Sequence, residues 1–510
     1  MTVVALVACA VATGLAGLRW LRVAQREHYL PGSCTRFAVR WWFGLGFNAL
    51  LSVGAILNVF LCAISPFFAF LVALPVAVGP FGLHLRGTAP GPIAPTRRLK
   101  TLAAVWIVVS LAIVVVGTLL KFPVLFAAAV TAGTPVFVDF ALKITRPIEA
   151  RNGQRFVESA TKKLRNINPT VVAITGSYGK TGTKGYTAHL IAASRSVLPT
   201  PASFNNSAGL SRSINENLAP GTEVFVAEMG TYGPGEIADM CTWVRPSIAA
   251  ITAIGPVHLE RMKDESTITK AKAEIFTTAE TCVLNTDNEW LATLAGELRT
   301  AGKRVIGCSA FDAAADVSVV EEGDQLVVRL GGGDPIAHLT LADAAPTNVA
   351  VAVALAREVG VPVETIARRL SDLPTARNRR SLTTGSTGAT FIDDTYNSNP
   401  AGAAAALVTL RHRAATMNAG RIVVVTPGMV ELGERQAEEN ERFAAAASEV
   451  CSDIVIIGAT NRKALVAGAH AGRARVVLVD DRAGATAWVK ENTSAGDVVL
   501  FENDLPDHFP

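Results

Sequence analysis

Ile174-Thr175-Gly176-Ser177-Tyr178-Gly179-Lys180-Thr181-Gly182-Thr183-Lys184 decides how the 510-residue chain is read. The apolar run 171–175 predicts a strand and the stretch after Gly179 a helix, so the glycines fall on a strand-to-helix turn. Successive backbone N–H groups in such a turn, backed by a helix N-terminus, form a cradle for phosphate oxygens. Lys180 would then neutralise the terminal phosphates, and the Thr181 hydroxyl would reach Mg2+. Only two residues separate Gly176 from Gly179, where the common phosphate loop places four between its glycines. The plainer alternative is a strand-to-helix turn that holds no ligand.

Outward from this loop, apolar β-rich runs recur at 224–227, 248–252 and 281–284, and again at 390–392, 421–425, 453–457, 475–479 and 497–501. Helical stretches separate them, a pattern that predicts parallel sheets of α/β type. Residues 317–330 carry a Glu-Glu-Gly-Asp turn and read as a hairpin. A helical stretch ends at Pro374, and Arg377-Asn378-Arg379-Arg380 follows as an inter-domain junction. Two α/β domains are expected: a central P-loop ATPase-type domain over 147–375 and a Rossmann-like domain over 376–510.

The first 146 residues have a different composition. They hold 12 basic and 2 acidic side chains, leaving 35 basic and 41 acidic for the rest, so the formal net charge of +4 describes neither part. The whole chain is 50% hydrophobic and 18% charged, against about 25% charged for a soluble domain. This excludes a single small soluble domain, a disordered chain and a nucleic-acid partner. Apolar stretches at 2–18, 43–64, 67–85, 101–120 and 122–142 each approach the roughly 20 residues that cross a bilayer, so five transmembrane helices are expected. Lys and Arg in the loops alternate between many and few, which predicts an outside N-terminus and cytoplasmic catalytic domains of a multi-pass plasma-membrane protein. Trp20, Trp41 and Trp42 fall at span ends, and Asp139 inside the last stretch. Seven widely separated cysteines read as reduced thiols.

Further motifs are weaker singly. Val224-Phe225-Val226-Ala227-Glu228-Met229-Gly230 is a strand ending in an acid, the position where α/β nucleotide enzymes place a metal ligand. Gly255-Pro256-Val257-His258-Leu259-Glu260 and Lys270-Ala271-Lys272-Ala273-Glu274 read in isolation as solvated structure.

Their order and spacing carry more. With Asn205-Asn206 before Gly209, Asn285-Thr286-Asp287, Asp393-Asp394-Thr395-Tyr396-Asn397-Ser398-Asn399-Pro400 and Pro427-Gly428-Met429-Val430-Glu431-Leu432-Gly433, the chain resembles the Mur ligase family over about 165–505. It looks most like the branch that adds D-alanyl-D-alanine to a muramoyl-tripeptide. The resemblance implies that Gly176, Ser177, Gly179, Lys180, Thr181 and Thr183 hold ATP phosphates. It implies two Mg2+ ions on Thr181, Glu228, His258 and a carbamylated Lys272. Asn285 and Asp287 would lie near the adenine, and Arg379 and Asp394 would reach the nucleotide from the last domain. Lys180, Lys272 and His258 would serve the chemistry, with Asn205, Asn206, Tyr396, Asn397 and Asn399 on the substrate side. Tyr396, Asn397 and Asn399 read equally as an Asx-type turn.

Three departures stand out. Apolar stretches occupy the place of the family's first domain, Thr347 precedes Asn348 where the family commonly has histidine, and Glu502-Asn503-Asp504 replaces a Lys-Gly-Ser-Arg type ending. The expected activity is an ATP-dependent, ADP-forming amide ligase that activates a carboxylate as its acyl phosphate. Its partners would be a bilayer, a carboxylate-bearing envelope precursor and an amino acid or dipeptide amine. The alternatives are a poly-γ-glutamate synthetase-like ligase and a non-ligase membrane-tethered ATPase or scaffold.

Overall fold

The computed structural model describes residues 1–44, 46–85, 93–340, 345–374, 381–395, 399–505 and 508–509. It divides into two compact units, one of residues 1–152 with 457–462 and 504–510, the other of 153–456 with 463–503.

The larger unit is built on two sheets. The first contains β1 (Thr170–Thr175), β2 (Val197–Pro199), β3 (Val224–Glu228), β4 (Ile248–Ile251), β5 (Thr281–Asn285), β6 (Arg304–Ser309), β7 (Val317–Glu322), β8 (Gln325–Leu330) and β9 (Ala337–Thr340). Their order is β2-β3-β1-β4-β5-β6-β7-β8-β9, parallel as far as β7 and antiparallel from there to β9. Alternate residues of β1 face opposite cores: Val171 and Ala173 pack with Phe225 and Leu284, while Val172 and Ile174 pack with Leu190 and Leu355. Burial on both faces explains why these strands read as unbroken apolar runs and not as alternation.

The second sheet holds β10 (Ser381–Thr384), β11 (Thr390–Asp394), β12 (Ile422–Thr426), β13 (Asp453–Ile457), β14 (Arg475–Val479) and β15 (Val498–Glu502), in the order β10-β11-β15-β12-β13-β14. Only β10 with β11 is antiparallel among the pairs whose register is defined. The α/β expectation therefore holds for both sheets, each mostly parallel with an antiparallel margin, and the 317–330 hairpin is β7 with β8. Four strands escaped the sequence: β2 and β9 are short, β10 is a polar edge, and β6 carries Gly307 and Ser309.

The smaller unit corrects the expectation of five spans. Among the described residues, two helices, Thr2–Arg26 and Arg97–Leu119, are long and apolar enough to cross a membrane, or up to four spans if each bent helix pair is counted as one. Glycine and proline set the difference. The stretch 122–142 bends by 81° between Pro123–Ala132 and Thr134–Ile167, at Gly133, and the stretch 67–85 forms only the 11-residue helix Phe68–Val78 before Gly79-Pro80. Length of an apolar run is thus not length of a helix. Asp139 accepts from the Thr35 backbone N–H at 2.7 Å and its hydroxyl at 2.6 Å, a structural role at the start of helix Ser33–Gly44. All seven cysteines are buried and unbridged.

Candidate active site

In the larger unit, the carboxyl ends of β3, β1 and β4 lie side by side, the place where open α/β sheets bind ligands. β1 runs into the glycine loop, and Gly179, at φ 81°, caps helix Lys180–Ile191. A Cβ on Gly176 would strike the Thr252 hydroxyl, and one on Gly179 the Asn348 side chain. Only glycine lets those neighbours close against the loop, so backbone N–H groups are left to line it. Ser177 donates its N–H to Ala253 O at 2.7 Å, and its hydroxyl exchanges bonds with Gly255 at 3.1–3.2 Å. Its side chain therefore braces the loop. Lys180 Nζ folds back to Gly176 O at 2.7 Å, within the loop whose phosphates it was expected to meet. The Thr183 hydroxyl is buried without a hydrogen-bond partner.

Beside the loop, β3 delivers Glu228, which is 1% exposed. Its Oε1 accepts from Asn205 Nδ2 at 3.2 Å, and Lys184 Nζ lies 2.9 Å from Oε2. That contact is an ion pair off the hydrogen-bonding direction, so Oε2 retains its acceptor capacity in a buried place. Lys184 also donates to Ala202 O. Lys272 is buried on helix Glu265–Ala273, and burial, then the nearby charge of Lys180, holds its ammonium well below the usual lysine range.

His258, at φ 55°, begins the short helix Leu259–Met262. Its Nδ1 is hydrogen-bonded to the carboxylate of Glu431, and Tyr232 packs edge-on at 5.0 Å between ring centres. Only Nε2 is left to face a metal. Arg435 joins Glu265 at 2.6 Å and Glu439 at 2.6 Å; burial first, then the carboxylates of Glu439 and Glu265, push the Tyr178 hydroxyl far up against the opposing charge of Arg435.

Other expected site residues are engaged elsewhere. Asn285 donates to Thr252 O at 3.0 Å and accepts from Asp287 N–H, while Asp287 accepts from Ala310 N–H at 2.7 Å, so both brace the strand ends of β4, β5 and β6. Asn206 caps helix Ser207–Asn217 through Gly209 N–H at 2.9 Å, and Asn399 caps Pro400–Met417 through Gly402 N–H at 2.8 Å. Asp394 ends β11 opposite Glu502, whose carboxyl accepts from Thr426 Oγ1 at 2.8 Å and is pushed up to about 8 by burial. Arg379, Tyr396 and Asn397 lie outside the described residues. Lys184, Thr252 and Glu431 were given no role by the sequence. Lys184 stands one helical turn after Lys180, a spacing that could have flagged it.

The residues fit a hard divalent cation only together with phosphate oxygens. Glu228 Oε2 accepts no hydrogen bond and could take a cation, but the Lys184 ammonium already lies 2.9 Å from it. Among the described residues, no group of three or more His, Cys, Asp or Glu gathers as a metal cage.

Comparison with known proteins agrees with this construction. Residues 174–356 match the Mur ligase middle domain and residues 378–502 the glutamate ligase domain of Mur ligases. A UDP-N-acetylmuramoyl-tripeptide–D-alanyl-D-alanine ligase of Mycobacterium tuberculosis is 31% identical over 357 residues, 65% of this chain and 70% of that protein. The enzyme of the same name from Bacillus subtilis is 27% identical, over 66% and 74%. The structure of MurF from Acinetobacter baumannii shares the fold, with a TM-score of 0.60 at 22% identity, over 69% of this chain and 77% of that one. An ADP complex of MurF from Thermotoga maritima gives 0.57 at 24%, over 69% and 80%. The chain belongs to the Mur ligase family, the ATP- and Mg2+-dependent, ADP-forming enzymes that join an acid to an amine through a carbon–nitrogen bond.

Proposed function

We propose that the chain is a membrane-associated ligase that joins a dipeptide or amino acid amine to the carboxylate of a muramoyl-peptide or a related cell-envelope precursor. The observation that carries this is the convergence of the glycine loop, Lys180, Glu228 and buried Lys272 at one end of the first sheet. The likeness to D-alanyl-D-alanine-adding ligases supports the choice of acyl and amine partners. Helices Thr2–Arg26 and Arg97–Leu119 support attachment to a bilayer, with the substrate presented by a lipid or at its surface.

In this reading the substrate carboxylate attacks the γ-phosphorus of ATP, ADP leaves, and an acyl phosphate results. The amine then attacks the acyl carbon and inorganic phosphate departs, leaving the amide. Both first reactants are anions, so Lys180 must turn from Gly176 O to the transferring phosphate. Glu228, Thr181, His258 through Nε2 and carbamylated Lys272 would hold one or two Mg2+ ions, which screen that charge when bound. A neutral Lys272 amine can add CO2, forming an N–C bond and releasing one proton, and so becomes an anion where a cation would repel metal. The His258–Glu431 and Arg435–Glu265 contacts tie together the segments that follow β4 and β12, which would help keep water from the acyl phosphate.

The test is phosphate release and amide formation by the full chain in detergent with Mg·ATP. UDP-muramoyl-tripeptide and its polyprenyl-linked counterpart are offered separately, each with D-alanyl-D-alanine. Amide from either supports the ligase and identifies the carrier, whereas ATP hydrolysis independent of both substrates would replace the reading with a plain ATPase.

A further inference from the structure

Lys184 is the buried cation of the site with no part in the mechanism above. It is 5% exposed, lies 2.9 Å from Glu228 Oε2, and is steadied by Ala202 O. Asn205 Nδ2 occupies the other carboxylate oxygen. Glu228 itself is fixed through its N–H, which donates to Thr200 Oγ1 at 3.1 Å. The carboxylate is thus oriented before any metal arrives, with the Lys184 ammonium seated on the oxygen that accepts no hydrogen bond.

A divalent cation approaching Glu228 alone would meet the Lys184 ammonium already seated on that single carboxylate. A cation that arrives with phosphate oxygens brings its own compensating charge. We propose that Lys184 is the resident counter-cation of Glu228 and makes divalent-metal binding conditional on the nucleotide, as a positioning residue that suppresses capture of free metal ions. This inference rests on the reading of Glu228 as a metal ligand.

The experiment is Mn2+ binding to the full chain in detergent, followed by electron paramagnetic resonance with and without ADP. Wild type is expected to bind Mn2+ weakly alone and at least roughly tenfold more tightly with ADP. Lys184→Gln, which keeps a donor for Ala202 O without the charge, is expected to bind Mn2+ alone roughly tenfold more tightly than wild type. Lys184→Arg should resemble wild type, because the positive charge persists. Retained ADP binding establishes that a variant is folded. Should Lys184→Gln fail that check, Lys184→Met takes its place with the same expected gain. No gain in a folded uncharged variant, an equal gain in Lys184→Arg, or wild-type Mn2+ binding that ADP does not tighten would each overturn the proposal. Glu228→Gln separates the two layers. Loss of Mn2+·ADP binding there with no gain in Lys184→Gln defeats the role of Lys184 alone, while unchanged binding in Glu228→Gln defeats the metal-ligand reading beneath it.

Discussion

His258, in the loop after β4, and Glu431, in the loop after β12, are joined twice: imidazole Nδ1 to the carboxylate, and the following Leu259 N–H to the Glu431 carbonyl at 2.9 Å. The first bond fixes the ring and leaves Nε2 as the nitrogen that could meet a ligand. The backbone bond survives any side-chain change. Glu431→Gln keeps a hydrogen-bonding oxygen but removes the charge, so the ring remains in place with less support for a positive partner. Amide formation is expected to fall roughly tenfold, since a hydrogen bond to a charged group contributes about 1.5–3 kcal/mol. Both side chains are partly exposed, so the melting temperature should move little. Steady-state phosphate release and a thermal melt check the two halves.

Lys272 is held well below the ordinary lysine range by burial and by Lys180. The unfolded chain therefore binds a proton that the folded chain does not, over the interval from the lowered value up to about 10.4. Stability should rise with pH across that interval, and Lys272→Met should remove the rise. A neutral amine is also what CO2 requires. In 13C-bicarbonate the wild type is expected to show a carbamate resonance that Lys272→Met lacks, and a wild-type spectrum without it would falsify the carbamylated reading.

Particular residues show how much of this was legible. The runs that became β1, β3, β4 and β5 were visible because both faces of the sheet are covered, which forces unbroken apolar sequence. The glycine loop was visible because φ values of 151° and 81° and the crowding by Thr252 and Asn348 admit no side chain. Helix number in the first 146 residues was not, because Gly133 and Gly79-Pro80 interrupt apolar runs without changing their hydropathy. Side-chain destination was also hidden. Asn206 and Asn399 are the right residues for a ligand or for a helix cap, and spacing alone does not choose between them. Lys184 gained meaning only when folding set it against Glu228, which lies 44 positions away.

Glu502 ends β15 beside Asp394 and Thr426, and burial lifts its carboxyl from an ordinary 4.5 to about 8. The folded chain thus binds a proton that the unfolded one has released. The stability contributed is complete below the unfolded value and is lost as pH rises toward 8. Glu502→Gln, still able to accept from the Thr426 hydroxyl, is expected to remove that decline. At pH 8.5 the variant should exceed wild type by on the order of 2 kcal/mol, and at pH 4.5 it should not. Urea unfolding at both values measures the difference, and parallel pH profiles would show that Glu502 does not titrate in this range.

Asn399 offers two roles that a single pair of substitutions separates. Its Oδ1 accepts from Gly402 N–H at 2.8 Å, with extended backbone at φ −152°, which is the geometry of a helix cap. Asn399→Ala should cost about 1 kcal/mol through loss of that cap. Asn399→Asp retains an acceptor oxygen at the same place, and its charge suits a helix N-terminus. If the side chain serves the cap, the aspartate variant keeps both its melting temperature and, within about twofold, its kcat/KM for the amine, because no amide N–H was in use. If the amide instead holds the amine substrate, the aspartate variant melts like wild type yet loses at least roughly tenfold in kcat/KM. The engaged Oδ1 makes the first outcome the expected one, and a tenfold loss without a change in melting would return Asn399 to the substrate.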